Sequence, residues 1–154
     1  MKKRIADSVV ETNQLVLPSD TNLLGNLLGG KTVHLIDIAA SLTASRHSNR
    51  KVATVSIDKI NFKKPIKQGL LVCVKSRLVW VGRTSMIVDV DVYSEDMLSG
   101  VRKKTTDARL TFVALDDNKK PTAVPGIEFE NEEEKHLFDI IQTEVEDKKS
   151  RGEI

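Results

Sequence analysis

Asp37 stands out in the sequence because its charge conflicts with the pattern around it. Apolar and small residues recur at helical spacing over 33–43, and Asp37 falls on the same side as Val33 and Ala40. A carboxylate on a buried face is costly unless it is paired or hydrogen-bonded. Such acids cluster at functional sites, where they serve as general bases or nucleophiles. The alternatives are a structural acid satisfied by a neighbour such as His34, or a position at the boundary of the buried face.

A glycine-containing segment precedes this helical pattern and offers backbone donors to a ligand. Residues 18–30 are rich in turn formers and end in Gly29-Gly30. The stretch from Gly25 to Thr32 fits the phosphate-loop pattern, but that motif requires a buried strand directly before its first glycine, and loop residues stand there instead. We therefore reject a nucleoside triphosphatase. The free N–H groups of a helix start can face a carbonyl oxygen as readily as a phosphate.

The other reactive side chains form no catalytic or metal-binding pattern. His34 and His47 lie near serines at helical spacing, but no G-x-S-x-G nucleophile elbow is present. No cysteine and histidine cluster has zinc spacing, so we expect no metal. The single cysteine, Cys73, has no base nearby in the sequence and allows no intrachain disulfide, which suits a reducing compartment.

Composition narrows the class of protein. The 154 residues fit one domain with one core. No apolar run approaches the roughly 20 residues that a membrane span requires. The basic N-terminus is followed by Asp7 and Glu11 where a signal peptide needs an apolar stretch, so we expect a cytoplasmic protein with no membrane partner. Aromatic residues make up 4%, too few for a stacking platform on single-stranded nucleic acid.

The net charge of +2 hides an asymmetry between the two parts of the chain. Residues 128–154 carry a net charge of −6, and residues 1–127 carry +8. A basic body attracts anionic ligands such as a nucleotide or coenzyme A (CoA), although scattered lysines that keep the protein soluble give the same count. We expect the acidic tail to be a solvated helix.

Hydrophobic periodicity predicts one strand, a long helix, four further strands and a terminal helix. The links between the later strands are short, which favours antiparallel neighbours. A change of parity predicts a bulge near Lys59. A lone apolar helix must bury its stripe against the sheet, so we predict an α+β fold with a five-stranded antiparallel sheet around a central helix. The predicted strands are 8–17, 51–62, 69–80, 84–94 and 103–115, and the predicted helices are Gly30 to Arg46 and 128–149.

Ten short blocks of the sequence, taken with their spacing, match one known family: Pro18 to Asn22, Gly25-Asn26, Gly29-Gly30, Asp37, Arg46-His47, Phe62 to Ile66, Gly69, Val81 to Ser85, Thr111 to Asp116 and Pro125. Together these blocks resemble the acyl-CoA thioesterases of the hotdog superfamily, in particular the bacterial short-chain enzymes and the cytosolic (brain-type) acyl-CoA hydrolases. The resemblance covers 8–126 as a hotdog domain and leaves 127–154 as an acidic helical tail. The chain departs from the family at Leu27-Leu28 and Lys31, which bears on acyl-chain preference more than on the chemistry.

The resemblance implies an enzyme that hydrolyses acyl-CoA to free CoA and a carboxylic acid, with no cofactor beyond the CoA of its substrate. It implies that Asn22 and Asp37 form the catalytic pair and come from different subunits of a homodimer whose sheets join edge to edge. Gly29 or Gly30 would donate a backbone hydrogen bond to the thioester carbonyl. Related enzymes assemble as hexamers, which are trimers of such dimers.

The phosphates of CoA need cations, and four residues are candidates for binding them. Arg83 and Ser85 sit at a strand turn inside one family block, and Arg46 and His47 follow the helix, although each is equally typical of a solvated turn.

Two other functions of the same fold stay open. A non-catalytic hotdog module that senses acyl-CoA is the main alternative. Known sensors add a DNA-binding segment, for which residues 1–7 are too short and the tail is too acidic, so we expect no nucleic-acid partner. Retention of both Asn22 and Asp37 also favours turnover. A dehydratase would need a histidine and an acid in a different arrangement, with His34 as the only candidate on the helix.

Overall fold

The central helix α1, Gly29–Ser48, forms where the apolar spacing predicts it and extends two residues further at its C-terminal end than Arg46. It ends at Asn49, whose left-handed backbone (φ 54°) places its N–H on the carbonyl of Ser45. Small residues on the buried face let the sheet approach closely. The buried residues of α1 are Thr32, Ile36, Ala39, Ala40, Thr43, Ala44, His47 and Ser48.

Five strands form one antiparallel sheet around α1, in the order β2-β4-β5-β6-β3. The computed structural model describes residues 1–153. Met86, Val88, Val90 and Val92 of β5 are fully buried against the helix, as their alternation predicts. The predicted α+β architecture is confirmed. The strands are Val10–Leu15 (β2), Lys51–Phe62 (β3), Leu71–Val81 (β4), Ser85–Glu95 (β5) and Arg102–Leu115 (β6).

A small polar cluster joins α1 to β4 inside the core. The Ser76 hydroxyl donates to the carbonyl oxygen of Ala39 (2.9 Å) and is also hydrogen-bonded to the Thr43 hydroxyl. All three residues are fully buried, and each hydroxyl has a partner. The cluster fixes the position of the helix along the strand, because a shift of either element would leave buried polar groups unpaired.

The edge strand β3 departs from regular pairing at two points. Its register with β6 shifts between Thr54 and Ser56 and again between Ile57 and Lys59. The second shift confirms the predicted bulge near Lys59, whereas the first was not predicted. Bulges turn side chains away from the regular alternation and are common beside active sites.

Two short strands that the sequence pattern did not predict form a separate two-stranded sheet. Lys2–Arg4 (β1) pairs in parallel with Gly126–Glu128 (β7). Three residues are too few to show periodicity, which is why neither strand was foreseen. The predicted boundary between residues 126 and 127 falls inside β7.

The C-terminal helix α2, Glu132–Ser150, packs on the outer face of the sheet. Its Asn131 cap accepts a hydrogen bond from the N–H of Glu134, and three glutamates occupy its first turn, where the helix dipole favours them. This differs from the expected solvated helix, because its apolar positions, sparse as they are, meet a matching patch on β4 and β5. The packed residues are Ile141 and Val145 of α2 with Val79, Trp80 and Ile87 of the sheet. Among residues 1–153, no helix is long and apolar enough to cross a membrane.

The attachment of α2 predicts opposite outcomes for two neighbouring isoleucines. Ile141 is 1% exposed and Ile140 is 44% exposed. Ile141→Ala should lower the free energy of unfolding by about 2–5 kcal/mol, the range for truncating a buried isoleucine. Ile140→Ala should change it by about 0.5 kcal/mol or less. Urea unfolding at one fixed protein concentration measures both values, and equal effects of the two variants would contradict the packing of α2.

Candidate active site

The start of α1 presents three backbone donors with no acceptor. The first hydrogen bond of the helix runs from the N–H of Thr32 to the carbonyl of Leu28 (3.0 Å), and no side chain caps the helix start. Among residues 1–153, the N–H groups of Gly29, Gly30 and Lys31 therefore have no partner. A methyl group added at Gly30 would meet nothing within 4 Å, so no other part of the chain packs against the Cα of this residue. They form a site for a carbonyl oxygen or an anion.

Asn22 lies beside this helix start, in the loop that follows a short 3₁₀ turn at Pro18–Asp20. Its side-chain oxygen accepts hydrogen bonds from the N–H groups of Leu24 (3.0 Å) and Asn26 (3.1 Å). These two bonds fix the orientation of the amide and leave its NH₂ group free to donate. Asn22 and Gly29 line the same cavity, of about 280 Å³.

Asp37 is on the flank of α1 that faces β3. The prediction that it lies on the buried side with Val33 is wrong, since both are half-buried, whereas the fully buried positions include Ile36, Ala40 and Thr43. Its Oδ1 accepts a hydrogen bond from the hydroxyl of Thr54 (2.8 Å), so its partner is not His34. Within 1–153 its Oδ2 has no partner, which leaves one carboxylate oxygen free for chemistry.

Thr54 is the site residue that sequence reasoning missed. It stands directly before the unpredicted bulge of β3, and its hydroxyl reaches a carboxylate 17 residues earlier in the chain. Strand alternation predicts that Thr54 lies on the other face of β3 from Ala53 and Val55, but nothing in the pattern indicates that this face is turned toward Asp37.

One copy of the chain does not bring the predicted catalytic pair together. Asp37 does not line the cavity that contains Asn22 and Gly29. Along the helix axis Asp37 is about 12 Å from Gly29, at 1.5 Å per residue. Large apolar side chains are exposed around both places, including Leu23, Leu24, Val55 and Phe62. Such exposure is typical of surfaces that contact another chain.

The four predicted CoA-binding residues separate into two groups. Arg83 and Ser85 line a cavity of about 440 Å³ on the outer face of the sheet, beside α2. Arg46 and His47 do not line it, and Arg46 instead donates to the carbonyl of Val9 (2.8 Å). His47 is 0% exposed, so it is not available to a phosphate at the surface, and we correct its predicted role.

His47 is a structural residue of the core. Its Nε2 donates to the carbonyl of Pro125 (2.8 Å), and its Nδ1 is buried without a partner. Burial lowers the pKa of the imidazole below its ordinary value of 6.5, an effect that the bond to Pro125 only partly offsets. Within the described part of the chain, no group of three or more histidine, cysteine, aspartate and glutamate side chains could hold a metal ion.

Comparison with known proteins gives the family. Residues 24–101 match the model of the thioesterase superfamily. An uncharacterized acyl-CoA thioester hydrolase of Bacillus subtilis, YkhA, is 43% identical over 143 residues, which cover 93% of this chain and 83% of that protein. The chain belongs to the acyl-CoA thioesterases. The predicted family, the hotdog fold and the class of enzyme, a thioester hydrolase, are confirmed.

Two solved thioesterases superpose closely on this one. An apo-hexameric acyl-CoA thioesterase has a TM-score of 0.91 and 40% identity, covering 98% of this chain and 97% of the other. The acyl-CoA hydrolase of Staphylococcus aureus, in complex with butyryl-CoA, CoA and CoA disulfide, has a TM-score of 0.88 and 35% identity, covering 98% and 92%.

The Staphylococcus aureus hydrolase has also been solved with alanine replacing one asparagine, one aspartate or one threonine. In that protein the asparagine precedes the aspartate by 15 residues, and the threonine follows the aspartate by 17. Asn22, Asp37 and Thr54 have the same separations in this thioesterase.

The buried imidazole predicts how stability depends on pH. Below about pH 6.5 the unfolded chain binds a proton at His47 that the folded protein does not, so unfolding becomes easier as the pH falls from 6.5 toward the folded pKa. Urea unfolding between pH 5 and 8 measures this slope. His47→Gln, which has no proton to gain, should show a smaller slope over the same range. An unchanged slope in that variant would show that other groups titrate.

Proposed function

We propose that this thioesterase hydrolyses acyl-CoA at sites shared between two copies of the chain, releasing CoA and a carboxylic acid. The observation that carries the proposal is the placement of the reactive groups on α1. Free amide donors lie at its start beside Asn22, and a carboxylate with one free oxygen lies two turns further along. A general base acts within about 3.2 Å of its proton or through one water. Asp37 of a second copy, facing the helix start of the first, meets that requirement.

The helix start binds the thioester carbonyl. The N–H of Gly29 or Gly30 donates to the carbonyl oxygen, with the helix dipole in the same direction. As water adds, negative charge develops on this oxygen. A donor already in place for that charge typically stabilises the transition state by about 2.7–4 kcal/mol.

Asp37 activates the attacking water. Its free Oδ2 accepts a proton from a water molecule while Thr54 holds Oδ1, and a positioned general base typically contributes about 10²–10⁴-fold to the rate. The NH₂ group of Asn22 donates to the water oxygen and positions it against the carbonyl carbon. Direct attack by Oδ2 to form a mixed anhydride uses the same geometry. After a single turnover in ¹⁸O-labelled water, a label in the Asp37 carboxylate marks direct attack followed by attack of water on the Asp37 carboxyl carbon.

The position of β3 and the assembly of relatives support sites that are shared between two copies. The edge strand β3 carries Thr54 and ends at exposed Phe62, so pairing of two β3 edges would bring α1 of one copy toward the helix start of the other. Hexameric relatives are consistent with three such dimers. The relative with bound butyryl-CoA and the shared spacing of its three substituted residues support acyl-CoA as substrate and these residues as its site.

Arg83 and Ser85 are the residues we assign to the CoA phosphates. Both line the outer cavity, and Arg83 is exposed and has no carboxylate partner within 1–153. Arg46 stays a weaker prediction, because its guanidinium donates to the carbonyl of Val9 and lies at the C-terminal end of α1, away from Gly29. A cytoplasmic location and the absence of a further cofactor also stay predictions.

Mixing two inactive variants tests whether the sites are shared. Asn22→Ala and Asp37→Ala should each abolish most turnover and leave the oligomer intact. In dimers that combine one of each, one site carries both changes and the other carries neither, so a random mixture should recover roughly a quarter of the wild-type activity. A thiol-release assay after refolding the two together measures the recovery. Normal activity of Asp37→Ala alone would end the proposal, and no recovery on mixing would place both groups in one chain.

The Thr54 hydrogen bond predicts a milder defect. Thr54→Val keeps the shape of the side chain and removes the hydroxyl that holds Asp37. A lost bond to a charged group is worth about 1.5 kcal/mol or more, so kcat should fall by about tenfold or more with little change in KM. Ser41→Ala removes a hydroxyl from α1 that bonds only to its own helix, and it should leave kcat unchanged. Equal rates for both variants would exclude a role for Thr54.

A further inference from the structure

We propose that the last turn of α2 forms part of the CoA phosphate site, with Lys148 and Lys149 binding the phosphate groups together with Arg83. The inference rests on the proposed acyl-CoA substrate. It assigns a binding role to a segment that lies outside the residues matching the family model.

The cavity beside α2 lies between this helix and the outer face of the sheet. The turn after β4 provides Arg83, the start of β5 provides Ser85, the bulged part of β3 provides Val55 and Ser56, and α2 provides one side. Lys148 and Lys149 lie on that side, and Lys148 is half-buried. Since α2 is held on the sheet by Ile141, Val145 and the hydrogen bond from Trp80 to Gln142 (2.8 Å), its lysines are fixed relative to Arg83.

The charges in the cavity do not cancel. It contains two acids: Glu144 pairs with Arg109 (3.5 Å), whereas Asp58 accepts hydrogen bonds from the hydroxyls of Ser56 and Thr111 (both 2.6 Å) and keeps its own charge. Arg109 is also held by Asp89 (2.7 Å).

Three cations remain around the cavity. Within 1–153, neither Arg83, Lys148 nor Lys149 has a carboxylate within 4.0 Å. Three unmatched cations around a cavity of about 440 Å³ are suited to a ligand with several phosphates.

The position of the cavity relative to Asp37 fits the shape of the substrate. Thr54 holds Asp37 on the helix side of β3, and the next two residues of the strand, Val55 and Ser56, line the cavity on the other side. Consecutive Cα atoms are about 3.8 Å apart, so the cavity lies directly behind the part of β3 that carries Thr54, with the strand between the two places. The thioester and the phosphates of CoA lie at opposite ends of a flexible arm, so they can occupy different faces of the sheet.

Lysines in the last turn of a helix have another ordinary role, which is to neutralise the helix dipole. That role affects the stability of α2 and does not depend on which ligand is bound. Phosphate binding instead depends on the chemical form of the substrate. The experiment therefore compares one acyl group on two carriers, CoA and pantetheine, because pantetheine lacks the phosphates.

The test measures KM and kcat for butyryl-CoA and butyryl-pantetheine with Lys148→Ala/Lys149→Ala. We expect KM for butyryl-CoA to rise roughly tenfold, since each exposed charge pair contributes up to about a factor of five. We expect kcat and the KM for butyryl-pantetheine to stay unchanged. Lys135→Ala is the control, because Lys135 is on the same helix, pairs with Asp139 (2.8 Å) and does not line the cavity. Lys148→Arg/Lys149→Arg should retain the low KM.

An unchanged KM for butyryl-CoA, or an equal rise for both carriers, would overturn the inference. Binding of CoA alone, measured by calorimetry, gives a readout that does not need turnover. Weaker CoA binding by the double variant supports the site even if hydrolysis fails. Wild-type affinity in that variant overturns the inference while the proposed hydrolysis stands.

Discussion

The rigidity of α1 determines how the site can be built. A helix rises about 1.5 Å per residue, so the donors at Gly29 and the carboxylate of Asp37 are held about 12 Å apart. The helix cannot shorten this distance, because its buried face is fixed on the sheet by small residues and by the Ser76 cluster. Two reactive parts that cannot approach each other on one helix can meet across two helices. In the dimer that we propose, symmetric pairing would therefore turn a fixed separation into two complete sites.

The flank position of Asp37 follows from the same constraint. A carboxylate at the centre of the buried face would need full compensation for its lost hydration, whereas one at the flank keeps an oxygen accessible. The β3 bulge after Thr54 lets a single hydroxyl reach this acid from the sheet. One bonded oxygen fixes the orientation of the carboxylate, and the other is free to accept a proton in the mechanism that we propose. Asp37 is less deeply buried than the sequence pattern predicted.

The sequence predicted the elements of this protein in which apolar residues recur at a regular spacing. Alternation along β4, β5 and β6 and the helical spacing of α1 gave the sheet, the central helix and Asp37 as the acid to explain. The sequence could not predict contacts between residues far apart in the chain. It therefore did not indicate Thr54, and it predicted a phosphate-binding role for His47, which is in fact buried against Pro125. The short strands β1 and β7 hold three residues each and show no period. The packing of α2 was hidden by its charge, because two buried positions suffice to attach it.

The attachment of α2 explains how an acidic segment can take part in the phosphate site that we propose. Glu132, Glu133 and Glu134 lie in its first turn, at the positive end of the dipole, whereas Lys148 and Lys149 lie in its last turn, beside the cavity. The net charge of the tail therefore says little about the electrostatic potential at the site, because interactions between exposed charges are largely screened beyond about 8 Å at physiological salt. The order of the charges along α2 decides the sign of the potential in the cavity. Glu144 is paired with Arg109, and the next lysines along the helix line the cavity without a carboxylate partner within 1–153. With the reverse order, the same composition would place the glutamates of the first turn beside the cavity, where they would repel the phosphates that we propose it binds.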